Sequence, residues 1–221
     1  MGGGTWDTGL YRSQTTQRRT TGTKDFDYDH KVKTGQAKGI HPSLDPARQA
    51  GSASPFAGQP VRESRDNDEH PLSLPIAVIF DVTGSMGRIP QVLQTKLALL
   101  MDVILAKTGV RDPQVLVGAV GDANTDRYPF QVGQFESDNR FDEQLRNIIL
   151  EGNGGGQMRE SYGLAYRFAA HHTATDSFEK RGKRGYFFTM GDEGAWSTVP
   201  AQQVRGIFGV ELFVKGDDVW F

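Results

Sequence analysis

The sequence contains no cysteine among its 221 residues. This absence excludes disulfide bonds, thiolate zinc sites and thiol nucleophiles together. It is typical of proteins kept in a reducing compartment, and we expect a cytoplasmic protein. The chain also lacks an apolar stretch approaching the ~20 residues that a membrane span requires, and its N-terminus has no signal-peptide core. We therefore expect no membrane segment.

A strong charge of either sign is missing as well. The 25 basic and 27 acidic residues give a formal net charge of -2. Because electrostatic attraction to nucleic acid requires a surplus of basic residues, we expect no nucleic-acid partner.

Residues 1–70 have few aliphatic side chains and are rich in glycine, serine, threonine and proline. A segment this poor in apolar surface does not offset the entropy lost on ordering, so we expect a disordered or extended arm and linker. Its basic and aromatic residues suit either a docking arm for a partner or a solvated tail. The prolines between residues 42 and 71 exclude regular elements, and one alternative is that this linker lies across the domain surface.

The chain does have three apolar runs, each followed by an acidic residue: residues 76–80 with Asp81, residues 115–120 with Asp122, and residues 186–190 with Asp192. Unbroken runs of this kind predict strands covered on both faces, as in parallel sheets. Apolar residues at helical spacing predict a helix over residues 89–107, a second near residues 141–149 and a third near residues 164–168.

Strands alternating with helices predict an α/β fold over residues 71–221. We expect three layers, with a doubly wound, mostly parallel sheet between helices. Tyr128, Phe130 and Val132 alternate around Pro129, which predicts one antiparallel edge strand. Ligand sites in such sheets lie at the carboxyl ends of the strands, where the three acids fall.

The loop after the first run carries the most specific pattern. Asp81, Thr83 and Ser85 offer one carboxylate and two hydroxyl oxygens to one small volume, and hard oxygen ligands suit Mg²⁺. Residues 81–86, Asp-Val-Thr-Gly-Ser-Met, resemble the Asp-x-Ser/Thr-Gly-Ser-Met signature of von Willebrand factor A domains. This signature opens the family's metal-ion-dependent adhesion site, where the metal bridges the protein to an acidic group on a partner.

The resemblance implies a ligand set of Asp81, Thr83, Ser85 and Asp192 around Mg²⁺, with Mn²⁺ or Ca²⁺ as alternatives. Asp122 is a weaker candidate, since it also suits an ordinary turn. The family often adds a threonine from a glycine-rich loop, and this chain departs from that pattern. We expect a water molecule or one of three side chains in its place: Gln157, Glu160 or Ser161.

Two other interpretations of the Asp81 loop remain open. Asp, Ser and Thr are favoured helix N-caps, so the loop is also typical of a structural cap. The same residues resemble the aspartyl nucleophile loop of haloacid-dehalogenase-like phosphatases, which use Mg²⁺. The interval between Asp81 and Asp122 holds one helix and one strand, which leaves little room for the other motifs of that family.

We therefore expect a protein-binding module, not an enzyme. The resemblance to free-standing prokaryotic members implies a bacterial or phage protein and an acidic protein partner, with a MoxR-type AAA+ ATPase as one partner. A Mg²⁺-dependent phosphatase and a structural assembly component are the alternatives. The family's sheet has about six strands, whereas here a fifth strand opens near the last residues. Two interpretations stay open: the sequence is a fragment of a longer protein, or the last strand and helix of the family's fold are lacking.

Overall fold

The computed structural model describes residues 4–107, 109–152, 159–209 and 218–220. The helices are α1 (Thr8–Thr21), α2 (Asp27–Lys33), α3 (Ile89–Lys107), α4 (Arg140–Arg146), α5 (Tyr162–His171), α6 (Asp176–Glu179) and α7 (Ala201–Phe208), with a 3₁₀ turn at Gly84–Met86. The strands are β1 (Arg62–Ser64), β2 (Ser73–Asp81), β3 (Asp112–Val120), β4 (Phe130–Val132), β5 (Arg159–Glu160), β6 (Thr173–Thr175), β7 (Tyr186–Met190), β8 (Gly194–Ala195), β9 (Thr198–Pro200) and β10 (Asp218–Trp220).

The main sheet has the strand order β4-β3-β2-β7. β2 is parallel to both of its neighbours, and β4 pairs antiparallel with β3 at one edge. The protein therefore has a mixed α/β fold with a mostly parallel sheet and one antiparallel edge strand, as the sequence predicts. Because β2, β3 and β7 run in the same direction, their carboxyl ends lie at the same edge of the sheet.

Alternate residues of β2 and β3 enter separate cores on the two faces of the sheet. On one face Ile76 and Phe80 pack with the helices α1, α3 and α4. On the other face Ala77 and Ile79 pack with α5 and α7. Helices therefore cover both faces, which explains why residues 76–80 of β2 and 115–120 of β3 are apolar on both faces.

The expected disorder of residues 1–70 is wrong for the part of this segment that the structure describes. Trp6, Tyr11, Phe26 and Leu44 are buried in the same core as the α3 side of the sheet. The Trp6 ring lies 4.8 Å from the Phe141 ring of α4, and the Tyr11 hydroxyl donates to the backbone carbonyl of Gln94 at 2.7 Å. These few large side chains bury enough apolar surface to order the segment, although its average composition is polar.

The proline-rich linker is held to the domain by a buried cation. The guanidinium of Arg62, in β1, donates to the backbone carbonyls of Gly133, Arg48 and Asp45. β1 itself pairs in parallel with β6. The Arg62 side chain is fully buried, and two of the carbonyls that accept its hydrogen bonds belong to the linker. The linker therefore lies across the domain surface.

β7 differs from the buried strand that its sequence predicts. Among the strands of the described residues it pairs with β2 alone, and in this part of the chain it forms the other edge of the main sheet. Phe187 packs in one core, whereas Tyr186 and Phe188 are both exposed, with ring centroids 6.4 Å apart. The sequence predicts apolar character correctly but does not indicate that one face of this strand is open.

The chain near residue 218 forms a strand, as predicted, but this strand does not join the main sheet. β10 pairs antiparallel with β9 in a separate two-stranded sheet. Among the described residues, no single helix is long and apolar enough to cross a membrane. The two bent halves Ile89–Lys96 and Leu99–Ala106 reach the required length and apolar composition only when they are taken together.

An ion pair joins the segment before β2 to the segment before β7. Arg181 donates to both carboxylate oxygens of Asp66, at 2.6 and 3.1 Å. Burial alone would raise the pKa of Asp66, but the hydrogen bonds from Arg181 and Ser73 outweigh it and lower the pKa to about 2. The folded state therefore prefers the ionised carboxylate.

We expect Asp66→Asn to lower the free energy of unfolding by about 1–2 kcal/mol at pH 7. Because the folded-state pKa is depressed, this stabilisation is complete above the unfolded-state pKa of about 4. It is lost as the pH falls through the folded-state value of about 2. Urea unfolding of both proteins across this pH range measures the difference, and a difference that stays constant would contradict the assignment.

Candidate metal site

Asp81, the last residue of β2, starts the loop that carries the candidate site. β2 lies between β3 and β7, and the Asp81 side chain is fully buried at its end. The backbone amide and the hydroxyl of Thr83 both donate to Asp81 Oδ1, at 2.7 and 2.6 Å. These bonds fold the loop back on the strand end. The 3₁₀ turn at Gly84–Met86 then presents Ser85 at the surface.

Four side-chain oxygens form a continuous chain across this edge of the sheet. Thr83 Oγ1 lies 2.6 Å from Asp81 Oδ1 and 3.2 Å from Ser85 Oγ. Ser85 Oγ in turn donates to Asp192 Oδ1, in the loop after β7, at 3.1 Å. Ser85 and Asp192 are 107 positions apart in the sequence. The structure therefore brings the four predicted residues Asp81, Thr83, Ser85 and Asp192 together.

The spacing and chemistry of these oxygens fit a small divalent cation. In an octahedral Mg²⁺ site with bonds of about 2.1 Å, neighbouring ligand oxygens are about 2.9 Å apart. The separations in the chain, 2.6, 3.2 and 3.1 Å, lie around that value. Within the described ranges, no group of three or more His, Cys, Asp or Glu side chains is placed to hold a metal. The present set has only two carboxylates, with hydroxyls for the remaining ligands.

The carboxyl groups at this edge of the sheet are buried or half-buried and close together, and both effects raise their pKa values. Burial raises the pKa of Asp81, and the charge of Asp192 raises it further. Burial and the charges of Asp81 and Asp126 raise the pKa of Glu160 to about 8. Burial and the neighbouring Glu151 raise the pKa of Asp126 to about 6, although the Asp122 amide opposes this. A nearby cation would relieve all three shifts, because each reflects the cost of an uncompensated negative charge.

Asp122, the weaker candidate, lies in a turn and does not belong to the oxygen chain. Its Oδ1 accepts hydrogen bonds from the backbone and side-chain amides of Asn124, at 3.0 and 2.8 Å, and from Trp196 Nε1 at 3.0 Å. The Asp122 backbone amide donates to Asp126 Oδ2 at 2.7 Å. These contacts favour the turn interpretation, with Trp196 as an additional partner.

Ser161 and Glu160, two of the three candidates for the missing threonine, follow the glycine-rich segment. Ser161 Oγ accepts the Ala123 amide at 2.9 Å, so this hydroxyl secures the loop after β3. Glu160 lies in β5, which pairs in parallel with β8. Its Oε2 is buried and has no hydrogen-bond partner among the described residues. Gln157, the third candidate, lies outside those residues.

Tyr162, at the start of α5, is a member of the site that the sequence analysis does not single out. Its hydroxyl forms a long hydrogen bond, 3.4 Å, to Asp81 Oδ2. A Cβ atom at Gly191 would lie 1.7 Å from the Tyr162 hydroxyl, so only glycine permits this approach. Burial and the charge of Asp81 raise the pKa of Tyr162, so the phenol stays protonated at neutral pH. No motif marks Tyr162 in the sequence.

The hydrogen bonds of Asp81 also bear on the helix-cap interpretation. They come from Thr83 and Tyr162, whereas the next helix, α3, begins only at Ile89. The Asp81 carboxylate therefore stabilises the loop that follows β2 and is not the N-cap of α3.

Comparisons with protein-family models, with curated protein sequences and with solved structures give no match. The fold is a mostly parallel α/β sheet, and the site is a cluster of carboxylate and hydroxyl oxygens at the carboxyl ends of its strands.

Proposed function

We propose that this protein is a metal-dependent protein-binding module of the von Willebrand factor A type, with a doubly wound, three-layer sheet. The observation that carries the proposal is the oxygen chain from Asp81 through Thr83 and Ser85 to Asp192. A Mg²⁺ ion held by these residues, or Mn²⁺ or Ca²⁺ in its place, would offset their charge and take a partner carboxylate as a further ligand.

The exposure of the four residues supports an open side to the site. Asp81 and Thr83 are buried, whereas Ser85 and Asp192 are exposed. A partner from solvent therefore approaches at the Ser85 and Asp192 end. Because the site is anionic, it repels a partner carboxylate unless a cation is bound. This repulsion would make partner binding conditional on the metal.

The environment of Asp81 favours a role in binding over one in phosphoryl transfer. A nucleophilic carboxylate needs an oxygen that can reach the phosphorus atom. The Asp81 side chain is fully buried, its Oδ1 accepts two hydrogen bonds from Thr83, and its Oδ2 contacts Tyr162. We therefore propose that Asp81 orients the site and holds the cation, and that the protein is not an enzyme.

The proposed partner follows from the resemblance to free-standing prokaryotic members of the family. It is a protein with an accessible carboxylate, and a MoxR-type AAA+ ATPase is one such partner, for which this chain would act as an adaptor. A purely structural assembly role has less support. The arm that such a role would use to wrap a neighbour packs, through Trp6 and Tyr11, against its own sheet.

Titration calorimetry with MgCl₂ on the full chain tests the metal site. We expect Asp192→Asn to weaken Mg²⁺ binding at least tenfold, because a charged ligand is lost. Asp192 is exposed, so this change should leave the fold intact. Glu69→Gln is the control, since it removes an exposed charge from the segment before β2, at the opposite end of that strand from the oxygen chain. Equal Mg²⁺ affinity of the wild type and Asp192→Asn would contradict the proposal.

A further inference from the structure

A groove of about 580 Å³ lies on the face of the main sheet that α5 covers. Its volume falls within the range of small-molecule sites, about 300–1,000 Å³. The floor and walls are formed mainly by apolar side chains, among them Ala77, Ile79, Leu116, Phe130, Val132 and Phe168. Few hydrogen-bonding side chains face it, so its interior favours a hydrocarbon.

The groove is separate from the candidate metal site. It lies near the start of β7, where Tyr186 pairs with Ile76, whereas the metal site lies at the opposite ends of the strands. Ala77 and Ile79, in its floor, are four and two residues before Asp81, or about 13 and 7 Å along the strand. Occupancy of the groove therefore does not require a metal at the Asp81 loop.

Two aromatic side chains border the groove and remain largely open to solvent. Phe178 of α6 is 56 % exposed and Tyr186 of β7 is 53 % exposed. Large aromatic side chains exposed beside an apolar groove are a typical feature of a binding surface. A ligand in the groove would cover part of both rings.

Among the described residues that line the groove, one cation is available to a ligand. Glu179 and Arg184 are the charged residues of the lining. Glu179 is already paired with Arg65, at 2.5 Å. Arg184 is exposed and forms no ion pair with any of the described residues. An anionic group on a ligand would therefore find its partner in Arg184.

We propose that this groove binds an aliphatic carboxylate, with its hydrocarbon chain along the apolar lining and its carboxylate at Arg184. A cationic or neutral amphiphile would lack an oppositely charged group to pair with Arg184. The ligand class therefore follows from the apolar lining together with the Arg184 guanidinium, which has no ion-pair partner among the described residues.

Titration calorimetry of the full chain with octanoate, decanoate and dodecanoate, each below its micelle concentration, tests the proposal. We expect affinity to rise about three- to fourfold per added methylene. Dodecyltrimethylammonium has the same chain with the opposite charge and should bind more weakly than dodecanoate. Equal affinity for the two head groups, or no dependence on chain length, would overturn the proposal.

Three variants assign the binding to the groove. Arg184→Gln should weaken dodecanoate binding about fivefold, whereas Lys183→Gln, which removes the neighbouring exposed cation, should not change it. Ala169→Phe places a large ring in the lining and should abolish binding, with circular dichroism to verify its fold. Unchanged affinity in folded Ala169→Phe, or an equal loss in the two charge variants, would contradict the assignment; Arg184→Gln, at an exposed position, keeps the test valid should Ala169→Phe misfold.

Discussion

Replacing Trp6 with alanine should lower the free energy of unfolding by about 3–5 kcal/mol. The Trp6 side chain is 6 % exposed, and its ring contacts Tyr11 and Phe141 at centroid distances of 5.2 and 4.8 Å. Its indole Nε1 donates to Thr8 Oγ1 at 2.9 Å, so the polar end of the ring is satisfied. The substitution would leave a cavity between α1 and α4, and urea unfolding would measure its cost.

Leu10→Ala is the matched control for this prediction. Leu10 lies four residues after Trp6, in α1. It is 47 % exposed, so its truncation should change the free energy of unfolding by less than about 0.5 kcal/mol. If residues 1–70 were the disordered arm that their composition suggests, both substitutions would have the same negligible effect. Equal stability of the two variants would therefore contradict the packing of α1 on the sheet.

The ordered N-terminal segment shows where sequence reasoning fails in this protein. The low apolar content of residues 1–70 is correct as an average, but the few large side chains are placed where they reach the core. The partners of Trp6 and Arg62, namely Phe141 and the Gly133 carbonyl, are distant in sequence. A local composition count has no information about such distant partners, so it predicts disorder.

The central elements are more predictable because their signals are local. The helix over residues 89–107 has the predicted bounds, and β7 coincides with the third apolar run. β2 and β3 contain the other two runs but begin three residues earlier. The exposed face of β7 is not predictable in this way, since it depends on which elements pack beside β7 in the folded sheet. Apolar character predicts a strand, whereas burial depends on neighbours that are remote in sequence.

The same distinction applies to the candidate site. The segment with Asp81, Thr83 and Ser85 is contiguous, and Asp192 follows an apolar run, so both can be found by inspection. The contact of Tyr162 with Asp81 depends on how α5 docks beside the end of β2. The burial of Glu160 likewise depends on the pairing of β5 with β8. Both features depend on contacts between elements that are distant in the sequence, so the sequence alone does not predict them.

Glu160→Gln should make the metal-free protein more stable at alkaline pH, by about 2–4 kcal/mol at pH 9. The Glu160 side chain is 3 % exposed, and burial together with the charges of Asp81 and Asp126 raises its pKa to about 8. A carboxyl group whose pKa is raised on folding destabilises the protein once it ionises. Glutamine keeps the shape of the protonated group and cannot acquire the charge.

The dependence of this effect on pH distinguishes charge from packing. Near the unfolded-state pKa of about 4.3, Glu160 is protonated in the folded protein, so the wild type and Glu160→Gln should be equally stable. The gap should open as the pH rises towards the folded-state value of about 8. Glu69→Gln, at an exposed position, should show no such gap.

Added Mg²⁺ should reduce the stability difference between the wild type and Glu160→Gln, because a cation at Asp81 and Asp192 reduces the repulsion that disfavours ionised Glu160. A gap that is constant from pH 5 to 9 would show that Glu160 does not experience the charge of the site.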